Sequence, residues 1–217
     1  NAGIYAEKGS NVYIGFRAGG LNKNGAYNVM IGDHAGYTAQ GNQYSGSNNV
    51  FIGYTSGYNT GGDKNTFVGI ATGLYTTGSY NTFMGYAAGY GGTTSAPWSS
   101  GQYNTALGYE ALKGFTTGTS NTVVGYGAGA AITTSNNNTI IGKSAGAVLT
   151  TGVNNTIVGM NAADALTVGE KNTAFGVGAL STAVEDSENT AIGYEALKNQ
   201  NAGGSDGSAT AKFNTAV

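Results

Sequence analysis

Eleven times along this chain an Asn is followed four residues later by Gly and seven residues later by a small residue. The anchors are Asn11, Asn28, Asn49, Asn65, Asn81, Asn104, Asn121, Asn138, Asn155, Asn172 and Asn189, and Asn214 opens a further block that the chain end cuts short. Each block reads N-[T/V]-x-x-G-x-x-[A/S/T]. From Asn104 to Asn172 every anchor is followed by the next after 17 residues. A fixed short period is the mark of a solenoid, in which each repeat buries its apolar side only by stacking on its neighbours. Helix-pair repeats need about 33 residues or more. The period therefore predicts an all-β fold: a parallel β-solenoid, or β-roll, of about 12 coils, each with two short strands and two turns. Residues 1–217 are expected to form a single repeat domain, with insert loops near 37–48, 91–102 and 199–212.

Positions within a coil are written here as offsets from its Asn. Offset +3 is always apolar: Ile14, Ile31, Ile52, Val68, Met84, Leu107, Val124, Ile141, Val158, Phe175 and Ile192. Alternate side chains of a strand point to opposite faces. Offsets +1 and +3 are thus expected to share the coil interior. Gly at +4 ends the strand, and the small residue at +7 lets the second half of the coil pass close to the first. The anchor Asn residues are expected to stack as a structural ladder, their amides donating and accepting along the pile. Thr pairs such as Thr116-Thr117 and Thr133-Thr134 mark the second turn.

Offset +2 is then expected to face outward. Yet its residues include Tyr13, Met30, Phe51, Phe67, Phe83, Val123, Ile140 and Ile157, with no charge among them. At the spacing of stacked strands this row makes an apolar stripe roughly 50 Å long, larger than a monomer usually exposes. The stripe points to an oligomer interface with another copy of the chain. The alternative is a coil of triangular section whose internal corner takes the +2 side chains. Aromatic residues at +5 (Phe16, Tyr54, Tyr86, Tyr109, Tyr126, Tyr194) add a lateral contact surface.

The run Asn189-Thr190-Ala191-Ile192-Gly193 resembles the S-V-A-I-G repeat in the heads of trimeric autotransporter adhesins. NTALGYEAL (Asn104–Leu112) and NTAIGYEAL (Asn189–Leu197) are similar to repeats of phage tail-fibre and surface-fibre proteins. The resemblance covers nearly the whole chain and is specific for architecture rather than function. It implies a parallel β-roll, three chains around one axis, and a non-enzymatic role as an extracellular fibre or adhesin. The adhesin head repeat is shorter than the one here.

Composition fits an extracellular structural role and argues against other classes. Net charge is −2 and charged residues are 9%, so no basic patch is available for nucleic acid. No apolar run is long enough to insert in a membrane. Cys is absent. The Gly-rich stretch Gly125–Gly129 falls on repeat offsets, and the next coil leaves no room for the helix a phosphate loop opens. The only histidine, His34, has no ligand cluster around it in sequence. No catalytic, cofactor or metal site is expected.

Self-association is the expected partnership, as a homotrimer or a head-to-tail filament. Asn1-Ala2-Gly3 falls at offsets +6 to +8 and Val217 at +3, so the ends could complete one coil between subunits. Asn1, Ile4, Tyr5, Asn214 and Val217 are the candidate end-to-end contacts, against the alternative of a piece cut from a longer array. Loops carry binding, which makes Pro97 and Trp98, the only Pro and Trp, candidates for a glycan or host-receptor contact on a virion fibre or cell surface. Trp98 could equally fold back on the +5 tyrosines. Ice binding is a remote alternative, since it wants flat ranks of Thr and the Thr pairs here are adjacent.

Overall fold

The computed structural model describes residues 9–22, 24–38, 46–92, 98–199 and 213–217. It is an all-β parallel solenoid. Twelve strands form one sheet in strict chain order: β1 (Val12–Ile14), β2 (Val29–Ile31), β3 (Val50–Ile52), β4 (Thr66–Val68), β5 (Thr82–Met84), β6 (Thr105–Leu107), β7 (Thr122–Val124), β8 (Thr139–Ile141), β9 (Thr156–Val158), β10 (Thr173–Phe175), β11 (Thr190–Ile192) and β12 (Thr215–Ala216). Every neighbour pair is parallel and in register, so equal offsets sit above one another, as Phe51↔Phe67 and Phe67↔Phe83 do. The inserts of the longer coils leave this register untouched: Met30 still pairs with Phe51, and Phe83 with Ala106.

Each coil carries one strand, not the two expected. The rest of the coil still bonds to its neighbours, but through isolated contacts between bends. At +6, the backbone N–H of Glu110 donates to Tyr86 O at 2.9 Å and that of Ser144 to Tyr126 O at 2.8 Å. At +8, Leu112 N donates to Ala128 O at 3.1 Å. At +12 the Thr116, Thr133 and Thr150 N–H groups each donate to the carbonyl one coil on, at 2.9, 3.0 and 2.8 Å. The strand is short because offsets −1, +6 and +8 take left-handed backbone angles. Examples are Tyr103 (φ 58), Glu110 (φ 54) and Leu112 (φ 53) in the coil of Asn104. Those bends turn the chain while keeping its N–H and C=O groups pointed along the stack, where they must be satisfied. Gly at +4 is required by close approach: Gly85 has φ +128, and a Cβ there would lie 2.6 Å from Gly108 O.

The facing of the strand is the reverse of the sequence expectation. Offset +2 points into the lumen: Met30, Phe51, Phe67, Phe83, Val123, Ile140 and Ile157 are fully buried. Offsets +1 and +3 point outward. The physical reason is the period-2 rule applied from the Asn itself: Asn at 0 is buried, so +2 shares its side and +1 and +3 take the other. The +7 residues also lie inside, Ala88, Ala111 and Ala128 being fully buried.

The bulk that fills the lumen is divided among +2, +8 and +11. Where +2 is large (Met30, Phe51, Phe67, Phe83), +8 is Gly, and a Cβ at Gly73 would lie 2.4 Å from the Phe67 ring. Where +2 is Ala106 or Ala174, +8 becomes Leu112 or Leu180. Coils with mid-sized Val123, Ile140 and Ile157 add Ile132, Leu149 and Leu166 at +11. The coils of Phe51 and Phe67 place hydroxyls there instead: Thr60 Oγ1 donates to Gly73 O at 3.0 Å and Thr76 Oγ1 to Gly89 O at 3.2 Å. Phe51, Phe67 and Phe83 stack at 5.0 and 4.9 Å between centroids.

Candidate interaction surface

The anchor Asn residues form the ladder, and Asn121 shows one using its whole hydrogen-bonding capacity. In Asn121 one amide N–H donates to Asn104 Oδ1 at 3.1 Å and the other crosses the coil to Ser135 O at 2.8 Å. Its Oδ1 accepts from Asn138 N and Asn138 Nδ2, both at 3.1 Å. The cross-coil bond recurs, as from Asn65 to Gly78 O at 3.0 Å and from Asn172 to Asp186 O at 2.8 Å. Asn11, Asn28, Asn49, Asn81, Asn104, Asn138, Asn155 and Asn189 occupy the same column. The ladder closes each coil and sets the register of the next. It lies inside the fold and offers nothing to a ligand.

The eight residues expected at an oligomer interface do not form one. Met30, Phe51, Phe67, Phe83, Val123, Ile140 and Ile157 fill the chain's own lumen, and Tyr13 packs against the same core with its hydroxyl accepting from Asn22 Nδ2 at 2.6 Å. The outer face of the sheet belongs to +1 and +3. From β4 onward +1 is Thr in every strand. The +3 row exposes Ile14, Met84, Leu107, Ile141, Phe175 and Ile192, with Phe175 54% exposed. Aromatic columns border the face on both sides. At +5, Tyr86, Tyr109 and Tyr126 stack at 5.0 Å with rings 12° and 8° from parallel. At −1, Tyr80 stacks on Tyr103 at 4.9 Å. Because these rings cover one another's faces, the columns present edges and hydroxyls, not open platforms for a sugar ring. Glu110 beside Tyr109 raises its phenol pKa, keeping the hydroxyl protonated.

The Thr column at +1, expected inside the coil, faces outward, which bears on the ice-binding alternative. The column stands alone, however. Its companion row mixes Val, Ile, Met, Leu and Phe, and so lacks the level ranks of Thr that such a face wants.

Other candidates are placed as follows. Trp98 is partly buried where its insert rejoins the coil, next to Ser99, which bridges in parallel to Thr76. Pro97 lies outside the described residues, as do Asn1, Ile4 and Tyr5. Asn214 caps the Asn ladder, its Nδ2 donating to Asn189 Oδ1 at 2.9 Å, and Val217 is exposed. His34 contacts the carboxylate of Asp33 and the rings of Phe16 and Tyr37. Among the described residues no group of His, Cys, Asp and Glu could hold a metal ion, and no helix is long and apolar enough to cross a membrane.

One surface feature breaks the repeat, and sequence reasoning missed it. At +6 most coils carry a side chain, such as Arg17, His34, Thr55, Glu110, Asn161 or Glu195, but Gly178 carries none. A notch of about 440 Å³ opens there. Asn161 and Asp164 form its lower wall, and Tyr194, Glu195 and Lys198 its upper wall. Lys198 Nζ donates to Glu195 Oε1 at 2.6 Å, which holds that carboxyl pKa down and the ammonium pKa up. Burial pushes the Asp164 carboxyl pKa up. The signal available in sequence was Gly at a variable, usually side-chain-bearing offset.

Comparison with protein-family models, with curated proteins and with solved structures finds no match.

Proposed function

We propose that the chain is a stiff segment of a non-enzymatic extracellular fibre, assembled side by side with copies of itself through the outer face of its sheet. The observation that carries this reading is the outward +3 row, apolar in all eleven coils, exposed in six and half-buried in five. Soluble monomers rarely leave such a stripe in water. With strands stacked at about 4.8 Å and +1 to +5 spanning about 13 Å, the face covers roughly 650 Å², close to the about 800 Å² per partner of a stable interface. Its Thr hydroxyls and tyrosine edges supply polar groups at the rim, and few charges need desolvation. The resemblance to adhesin heads and tail fibres suggests three chains about one axis, a rod for attachment on a cell surface or virion.

The test is the assembled mass by size exclusion with light scattering, for the native chain and for Val124→Lys/Ile141→Lys. A particle of about three chains that falls to one in the variant supports the reading. A native monomer at micromolar concentration sinks it, as does a multimer indifferent to the two lysines.

A further inference from the structure

In a stack of near-identical coils, the place where the surface departs from the repeat is where selection for something other than stacking is visible. Gly178 and its surroundings are that place. The neighbouring coils serve as internal controls. Gly127 also leaves +6 empty, but the +9 positions of its own coil and the next are Ala130 and Ala147, and the polar groups on the coil below, Glu110 and Lys113, are paired with each other at 2.7 Å. Around Gly178 the +9 and +10 positions are Asp164, Ser181, Lys198 and Thr182. The left-handed backbone at +6 does not demand Gly, since Ala71, Ser144 and Asn161 adopt it with φ of 54–55. Space is also available, since a Cβ at Gly178 would meet only Glu195 Cγ, at an ordinary 3.4 Å. Folding alone therefore does not explain the glycine; an opening does.

We propose that the Gly178 notch binds a pyranose glycan that is neutral or carries an amino group. Hydroxyl-rich ligands are held by groups that donate and groups that accept; Asn161 and Ser181 do both, and the two carboxylates accept. Tyr194, 75% exposed, is not covered by a tyrosine below it, because Val177 takes +5 there. Its ring can therefore pack on an apolar sugar face, as the stacked tyrosines cannot. Volume also fits: about 440 Å³ lies within the usual range of about 300–1,000 Å³ for ligand sites. Charge sets the class. Lys198 is committed to Glu195, and among the described residues no cation pairs with Asp164, so the side chains lining the notch carry one excess negative charge. Uronic acids, sialic acids and phosphate would meet an unpaired carboxylate and are excluded. The raised Asp164 pKa is consistent with a carboxylate held in partial desolvation, ready to accept from a ligand hydroxyl or ammonium.

The notch shares the +5 rim of the sheet face, through Met160, Val177 and Tyr194, so ligand binding and lateral assembly need separate readouts. The experiment is a glycan array with the full chain, followed by calorimetric titration of the best neutral or amino sugar and of galacturonic acid. Gly178→Asn copies the residue and backbone of Asn161 into the notch, and light scattering shows whether assembly is unchanged. Expected are binding of neutral or amino sugars, none of galacturonic acid, and at least about tenfold weaker binding in Gly178→Asn with the same particle mass. Asp164→Asn should weaken an amino sugar more than its neutral counterpart. No neutral or amino sugar bound at millimolar concentration, a preference for the acidic sugar, or binding untouched in Gly178→Asn each overturns the assignment.

Discussion

If one lumen site per coil is shared between +2 and +8, moving its volume from one position to the other should be tolerated while changing either alone is not. The coil of Asn65 is suited to the test. Phe67 is fully buried and stacked 5.0 Å from Phe51 and 4.9 Å from Phe83. Truncation by Phe67→Ala leaves a cavity opposite Gly73 and should cost about 3–5 kcal/mol. Gly73→Leu alone places its Cβ 2.4 Å from Phe67, and overpacking of that kind costs about 1–3 kcal/mol or more. The left-handed φ of 59 at Gly73 adds about 1–2 kcal/mol for a residue with a side chain. Simple addition predicts a loss of about 5–10 kcal/mol for the pair. The double variant instead reproduces a combination the chain already uses, Ala174 with Leu180 at φ 56. Its cost should fall to about 2–3 kcal/mol, mostly backbone strain and lost ring stacking, giving a coupling of several kcal/mol. A solenoid can unfold coil by coil, so the assay is native-state hydrogen exchange of amides in β4 and β5 rather than a single melting temperature. Protection in the double variant that is lost as completely as the two singles together would refute the shared-volume argument.

Asn121→Ala should destabilise by about 3 kcal/mol or more, because it strands Ser135 O and the Asn138 N–H groups without partners inside the fold; denaturation that matches a surface Asn→Ala control would contradict the ladder. Gly85→Ala should lower thermal stability sharply, since its Cβ has only backbone to meet, 2.6 Å away, whereas Gly127→Ala, with open space at φ 61, should cost only the about 1–2 kcal/mol of its left-handed backbone. Asp164→Asn should raise the melting temperature at neutral pH. Burial raises the folded-state pKa of this carboxyl, so the folded state disfavours its ionised form, and stability drops as pH rises through the window above the unfolded pKa. The gain of the amide variant should therefore vanish as pH falls below that window; a gain that persists there would mean the charge is not its cause.

The repeat made the architecture readable and the facing of its strand unreadable. Parallel stacking demands that equal offsets coincide, so the period alone implies the register seen in β1–β12. Facing depends on which of two apolar rows is buried, and both +2 and +3 are apolar here. A polar column could have decided it: Thr at +1 from Thr66 onward sits better in water than in a lumen. So could the exchange of bulk between +2 and +8, visible in Phe83 with Gly89 and Ala106 with Leu112. The +11 core row was obscured because its first members, Thr60 and Thr76, are polar and become legible as interior only through their bonds to Gly73 O and Gly89 O. The notch was invisible because a single Gly among 39 carries no signal until the coils are laid over one another.

This division between inside and outside also shapes what such a rod can acquire. A lumen residue is constrained three ways, by its own coil's volume and by the coils above and below, so a change at Phe67 or Asn121 disturbs neighbours on both sides. An outward residue at +6 or +9 has none of these ties. The backbone at +6 accepts Arg17, His34, Thr55, Ala71, Glu110 and Gly178 with φ between 52 and 65, although their size and charge span nearly the full range of side chains. Side chains can therefore vary along the corner rows at little cost in stability, while the +3 row stays apolar in every coil, as the proposed lateral contact requires. Under the two proposals above, the apolar +3 row serves assembly and the variable +6 row ligand contact, and one fold can carry both because the rows are free of each other's constraints.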